Sequence, residues 1–199
     1  MVNKTVAIYV FFDDILKSMN HKEPESRKTT DAEIITVILL AAGYFTGNIE
    51  KSLSFVRCTG LMPDMLGKSR FNRRMHQIGE LLSELFFHTG QAVKELNLQT
   101  VYSIDNFPVA VCHNIRIANS RIIKGKEYRG RCVSKRCWFY GFKVHMIVTS
   151  GGIHVEFTFT AGSKHDLDGF RQLPVNLPEG SDVLADSAYT DYLMEEIPG

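Results

Sequence analysis

Through the first half of the chain the apolar positions fall at helical spacing. Ile34, Ile35, Val37, Ile38, Leu39 and Ala42 belong to a run that is apolar nearly all round, which marks a buried helix. Thr30-Asp31-Ala32-Glu33 just before it is a capping box, with Thr30 as N-cap and Glu33 reaching back. Asn48 or Ser52 is expected to open a shorter helix through Leu53, Phe55 and Val56, and Gly60, Pro63 and Gly67 punctuate the loop after it. Ser69 is then expected to cap one long helix, because Phe71, Met75, Ile78, Leu82 and Leu85 step by four and three along a single stripe.

Near residue 99 the period changes to alternation. Val101-Tyr102-Ser103-Ile104 is strand-like, and residues 139–149 form a long β-rich run. Ser150-Gly151-Gly152 makes a tight turn into an alternating strand from Ile153 to Phe159, so the two runs form a hairpin. A short helix is expected over residues 166–173 with Asp166 as N-cap, broken by Pro174 and Pro178. A further strand is expected from Ser181 to Ala185. This order divides the chain into a helical domain over residues 1–98, with a helix-turn-helix-like character, and an α/β domain over residues 99–199. The predicted fold class is α/β: an RNase H-like mixed sheet, incomplete, preceded by an all-helical N-terminal domain.

Composition alters this picture little: 44% hydrophobic and 23% charged residues describe an ordinary globular chain. The longest apolar stretch, 34–45, is too short to cross a bilayer, and Asp13-Asp14 follows the apolar start where a signal peptide would need a cleavage site. The expectation is a soluble cytoplasmic protein with no membrane partner. Cys132 and Cys137 lack C-x-x-C spacing, so reduced thiols are the reading rather than zinc.

The net charge of +1 hides an uneven distribution. Residues 116–143 carry nine Lys and Arg, among them Arg121, Lys124, Lys126, Arg129, Lys135, Arg136 and Lys143, against the single acid Glu127. Arg70, Arg73 and Arg74 form a second cluster on the first turns of the long helix. Both are candidate DNA contacts, the first as a loop laid on the phosphate backbone, the second within a helix-turn-helix reader. Trp138 and Tyr140 have the chemistry to stack on an extruded base, but core packing is expected for both.

The candidate catalytic pair is Asp105 and Asp186, each at the end of a predicted strand. In an RNase H-like sheet such acids become neighbours after a helical crossover, and two carboxylates can ligate Mg2+ or Mn2+ for phosphoryl transfer. Lys143 and His145 share a face by alternation and, with His165, are candidate neighbours of that site.

Several motifs sharpen this reading. Asp105-Asn106-Phe107-Pro108 is followed by Cys112, Arg116 and the run Phe139-Tyr140-Gly141-Phe142-Lys143-Val144-His145. Then come Ala161-Gly162-Ser163-Lys164-His165-Asp166, Leu177-Pro178-Glu179-Gly180 and Ala185-Asp186-Ser187-Ala188-Tyr189-Thr190-Asp191-Tyr192. In this order they resemble bacterial insertion-sequence transposases of the DDE type, in particular the insertion sequence nine-eighty-two group. Ser69-Arg70-Phe71-Asn72-Arg73-Arg74-Met75-His76 is similar to the same group.

The resemblance implies metal-dependent cutting and joining of DNA ends. The partners it implies are the terminal inverted repeats of an element, target DNA, and further copies of the chain in a homo-oligomer on DNA. It assigns Asp105 and Asp186 as the first two acids. Asn106 stands where a serine is usual in the group, a change expected to have little effect. The third acid, a glutamate on a later helix, finds no match. Glu195 and Glu196 follow Asp186 too closely to leave room for the intervening elements and are read as surface charges. A C-terminally shortened transposase, inactive or impaired, is therefore expected. A non-catalytic DNA-binding remnant that binds or blocks element ends is the alternative, and a two-carboxylate nuclease is a third reading.

Overall fold

The computed structural model describes residues 1–132, 135–186 and 189. Glu195, Glu196 and the Thr190-Asp191-Tyr192 end of the last motif lie outside the described residues, as do Ser187 and Ala188. The chain divides into two compact units, Met1–Leu85 and Phe86–Gly199.

The first unit is helical: α1 (Val2–Ser18), α2 (Asp31–Tyr44), α3 (Ile49–Cys58), α4 (Lys68–Gln77) and the first residues of α5 (Gly79–Leu96). Thr30 caps α2 as its sequence predicts, its hydroxyl accepting from the Glu33 amide at 3.2 Å while Glu33 accepts from the Thr30 amide at 2.8 Å. Asn48 caps α3. Ile34, Ile35, Val37 and Leu40 of α2 are buried among Leu53, Val56 and Phe71, which accounts for a helix apolar nearly all round. The expected long helix after Ser69 is instead two helices. The cap of α4 is Gly67, and the helix breaks at Ile78, just before Gly79. Glycine weakens a helix interior, and the apolar stripe runs on across the break because both pieces face the same core.

In the second unit the sheet contains β1 (Val101–Cys112), β2 (Arg129–Cys132), β3 (Cys137–Thr149), β4 (His154–Ala161) and β5 (Asp182–Ala185). The central path runs β2-β3-β1-β5, and β4 pairs with β3. β3 is antiparallel to β1, β2 and β4, whereas β5 is parallel to β1, reached through α6 (Asp166–Gln172). That mixed topology is the RNase H-like arrangement. Two 3-10 turns, Asn114–Asn119 and Lys126–Tyr128, together with β2, occupy the basic segment expected to be loop. The N-cap of α6 is His165, whose ring accepts from the Leu167 amide at 3.3 Å; Asp166 is the first helical residue instead.

β4 departs from strict alternation. A register shift opposite Ile147 and Val148 lets Val155 and Glu156 both turn inward. Glu156 is then ion-paired with Lys94 of α5, and both are almost fully buried. The same carboxylate accepts from the Asn176 amide at 2.9 Å, and the Lys94 ammonium donates to the Asn176 carbonyl at 2.7 Å. Among the described residues, no single helix is long and apolar enough to cross a membrane.

Candidate active site

β1 and β5 run side by side in parallel register, Tyr102 with Val183 and Ile104 with Ala185. Asp105 lies within β1, which runs on to Cys112 by pairing with β3, and not at a strand end as expected; Asp186 directly follows the last residue of β5, and both acids are exposed. Neighbouring strands lie about 5 Å apart, so the paired backbones of Ile104 and Ala185 each lead directly into one of the two acids. The Asp105 carboxylate accepts its neighbour's amide, Asn106 N–H, at 2.7 Å. Carboxylate oxygens are the hard ligand type that Mg2+ or Mn2+ takes, so the residues present fit such an ion.

A polar chain runs from the residue after Asp105 into the interior. Asn106, one residue on from Asp105, donates its side-chain amide to the Tyr189 hydroxyl at 2.9 Å. That hydroxyl shares a hydrogen bond of 3.1 Å with His145 Nδ1, and His145 Nε2 shares one of 2.9 Å with Thr160 Oγ1. The Tyr189 amide also donates to the Asp186 carbonyl at 2.9 Å. Burial pushes the Tyr189 hydroxyl up to about 12 against the pull of Asn106, and the charges of Asp166, Asp105 and Asp186 add to the rise. The phenol therefore keeps its proton at neutral pH. Its oxygen accepts from Asn106 and also meets His145 Nδ1, so Tyr189 joins the Asn106 side chain to the imidazole. Burial holds His145 below the usual histidine range, with Asp166 opposing and Lys143 reinforcing that direction.

Lys143 and His145 share a face, as alternation predicts, but neither looks freely outward. His145 is fully buried, with Gly169 of α6 against its ring. Lys143 is tied to Asp166 at 2.7 Å and to the Lys164 carbonyl at 2.8 Å. His165 is exposed at the cap of α6. Sequence reading assigned no role to Tyr189 or Thr160; the adjacency of Tyr189 to Asp186 in one motif was the available signal.

The basic candidates divide as well. Arg121, Lys124, Lys126, Arg129, Lys135 and Arg136 are all exposed. In the first unit Arg70 and Arg73 are exposed and line a pocket with Arg27 and Lys28. Arg74 is not free in this way: it pairs with Asp31 at 2.5 Å and Glu23 at 3.4 Å, its side chain 13% exposed. His21, Glu23 and Asp31 bring ligand atoms within 4.8 Å of one another. Arg27 and Arg74 already neutralise those two acids, so the group is an ion-pair network around the buried start of α2.

Residues 96–197 match the family model described as the transposase DDE domain, just over half of the chain. This chain belongs to the transposase DDE family. Neither a curated protein nor a solved structure matches it. The family assigns the chain to transposition with DNA as substrate, and its domains generally use a divalent metal ion.

Proposed function

We propose that this DDE-family chain belongs to the insertion sequence nine-eighty-two group. In this reading it engages insertion-sequence ends in the bacterial cytoplasm for Mg2+- or Mn2+-dependent cutting and joining. The observation that supports the proposal is the parallel register of β1 with β5, in which Ile104 lies beside Ala185 and each is followed in the chain by one of the two acids. Their carboxylates would hold the metal, which when bound supplies activation of the attacking oxygen and stabilisation of the leaving oxygen of a phosphodiester. The chain's own residues do the rest. The Asn106 amide orients the Asp105 carboxylate, and the Asn106 side chain anchors this part of β1 to Tyr189. Lys143 neutralises Asp166 beside the site. The exposed arginines and lysines bind phosphate backbone, and the helical domain over residues 1–98 reads the element ends as a homo-oligomer on DNA.

The exposed basic residues equally support a second reading, a binder of element ends without catalysis. Incubation of a supercoiled plasmid carrying the element ends with the chain and Mg2+ or Mn2+ separates them. Nicking lost in Asp105→Asn and in Asp186→Asn supports the enzyme. Binding without nicking supports the binder. Nicking that survives both substitutions rejects the site.

A further inference from the structure

We propose that Trp138 and the arginines of β2 form a subsite for an unpaired nucleotide. The inference rests on the DNA reading above and adds the kind of DNA that this face takes.

Trp138 is the chain's single tryptophan and is 65% exposed, contrary to the expectation that it packs in the core. Tyr140, two residues on, is buried as expected, its hydroxyl donating to the Ile123 carbonyl at 3.3 Å. Tyr140 is covered by the segment carrying Ile123 and Tyr128, whereas the Trp138 ring is left open to solvent. The exposed ring is nonetheless held on a fixed backbone. Trp138 pairs with Arg131 across the β2–β3 ladder, and its carbonyl accepts from the Asn114 side chain at 3.1 Å.

The surroundings have the chemistry of a nucleotide site. Trp138 lines a pocket of about 480 Å3 with Arg129, Asn114, Ile117 and Phe139. Arg129 and Arg131 alternate onto one face of β2 and are both exposed. An exposed aromatic face stacks any base, and adjacent arginines neutralise the phosphates on either side of it. Duplex DNA keeps its bases stacked on one another, so a ring of this kind is useful only to a base that is unpaired or turned out. Trp138 lies eight residues along β3 from Met146, the partner of Asp105. At about 3.3 Å per residue that is roughly 26 Å, too far for one nucleotide to reach both places. The subsite therefore holds a nucleotide distant from the one being cut, on a strand that has separated from its complement.

The lone tryptophan makes the test direct. The full chain is titrated with oligothymidylate and with a duplex of equal length, without metal, while intrinsic fluorescence and the anisotropy of labelled DNA are followed together. The expected result is strong quenching of Trp138 emission by the single strand and little by the duplex. Anisotropy should show Trp138→Ala weakening single-strand binding about 10-fold, with Trp138→Phe retaining most of it. Duplex binding should change little in either variant, which also reports that both remain folded. Single-strand binding that leaves the emission unchanged, or that is indifferent to Trp138→Ala, overturns the subsite and leaves the DNA reading standing. Failure to bind either DNA overturns both.

Discussion

His145 shows how much one residue's surroundings decide. By sequence it alternates with Lys143 on a strand, and nothing local distinguishes a histidine facing DNA from one sealed inside. The structure seals it: α6 crosses over it, and Gly169 leaves the space its ring occupies, since a Cβ there would run into the imidazole. Gly169→Ala should therefore lower the stability of the second unit by about 1–3 kcal/mol through overpacking, read as a shift in urea midpoint. An unchanged midpoint would show that the ring can move aside. The same burial sets a pH dependence. The folded state holds His145 below its ordinary 6.5, so between that lowered value and 6.5 the unfolded chain binds the extra proton. Stability from this group is complete above about pH 6.5 and is lost as pH falls toward the folded value, with no further loss below it. His145→Gln should flatten that region of the stability–pH curve; a curve of unchanged slope would assign the acid sensitivity to other groups. The pairing of Tyr189 with Asn106 was equally invisible, because it joins residues far apart in sequence.

Elements were legible where their cause is local. The Thr30–Glu33 box and the Asn48 cap involve residues three apart, and both form as their sequences dictate. Thr30→Ala should lower the stability of the helical unit by about 1 kcal/mol, measured by thermal unfolding. β2 was not legible, because Arg-Gly-Arg-Cys has no β-branched or aromatic residue and becomes a strand only by pairing with β3. The inward turn of Glu156 was hidden for a related reason: a bulge in β4 changes which residues face in, and Lys94 arrives from a distant helix. This buried pair yields a sharp prediction. Lys94→Met leaves Glu156 without its cation and should cost about 3–5 kcal/mol, while adding Glu156→Leu to it should recover much of that loss. A double variant no more stable than the single one would mean that the Asn176 contacts, rather than the charge, set the cost.

At the scale of the whole molecule, the order of strands and helix along the chain was enough to read β5 as a strand parallel to β1, because a strand returning through a helical crossover pairs in parallel with the first. Charge is harder to read from sequence, since it reveals a cation but not whether an acid has already claimed it. Arg70, Arg73 and Arg74 look equivalent in the sequence, yet the structure separates them. Arg70 and Arg73 have no ion pair among the described residues, whereas Arg74 is joined to Asp31 and Glu23. Their substitutions should therefore fail in different ways. Each phosphate contact contributes about 0.9 to the slope of log affinity against log salt, so Arg70→Ala with Arg73→Ala should reduce that slope by about 2 and leave the unfolding midpoint in place. Arg74→Ala should do the reverse: it leaves the buried Asp31 short of a donor, costs about 2 kcal/mol in stability, and keeps the slope of the molecules that remain folded. Measuring affinity over a salt series beside an unfolding curve for both variants separates the two roles. A slope unmoved by losing Arg70 and Arg73 would remove the start of α4 from the DNA-contacting surface.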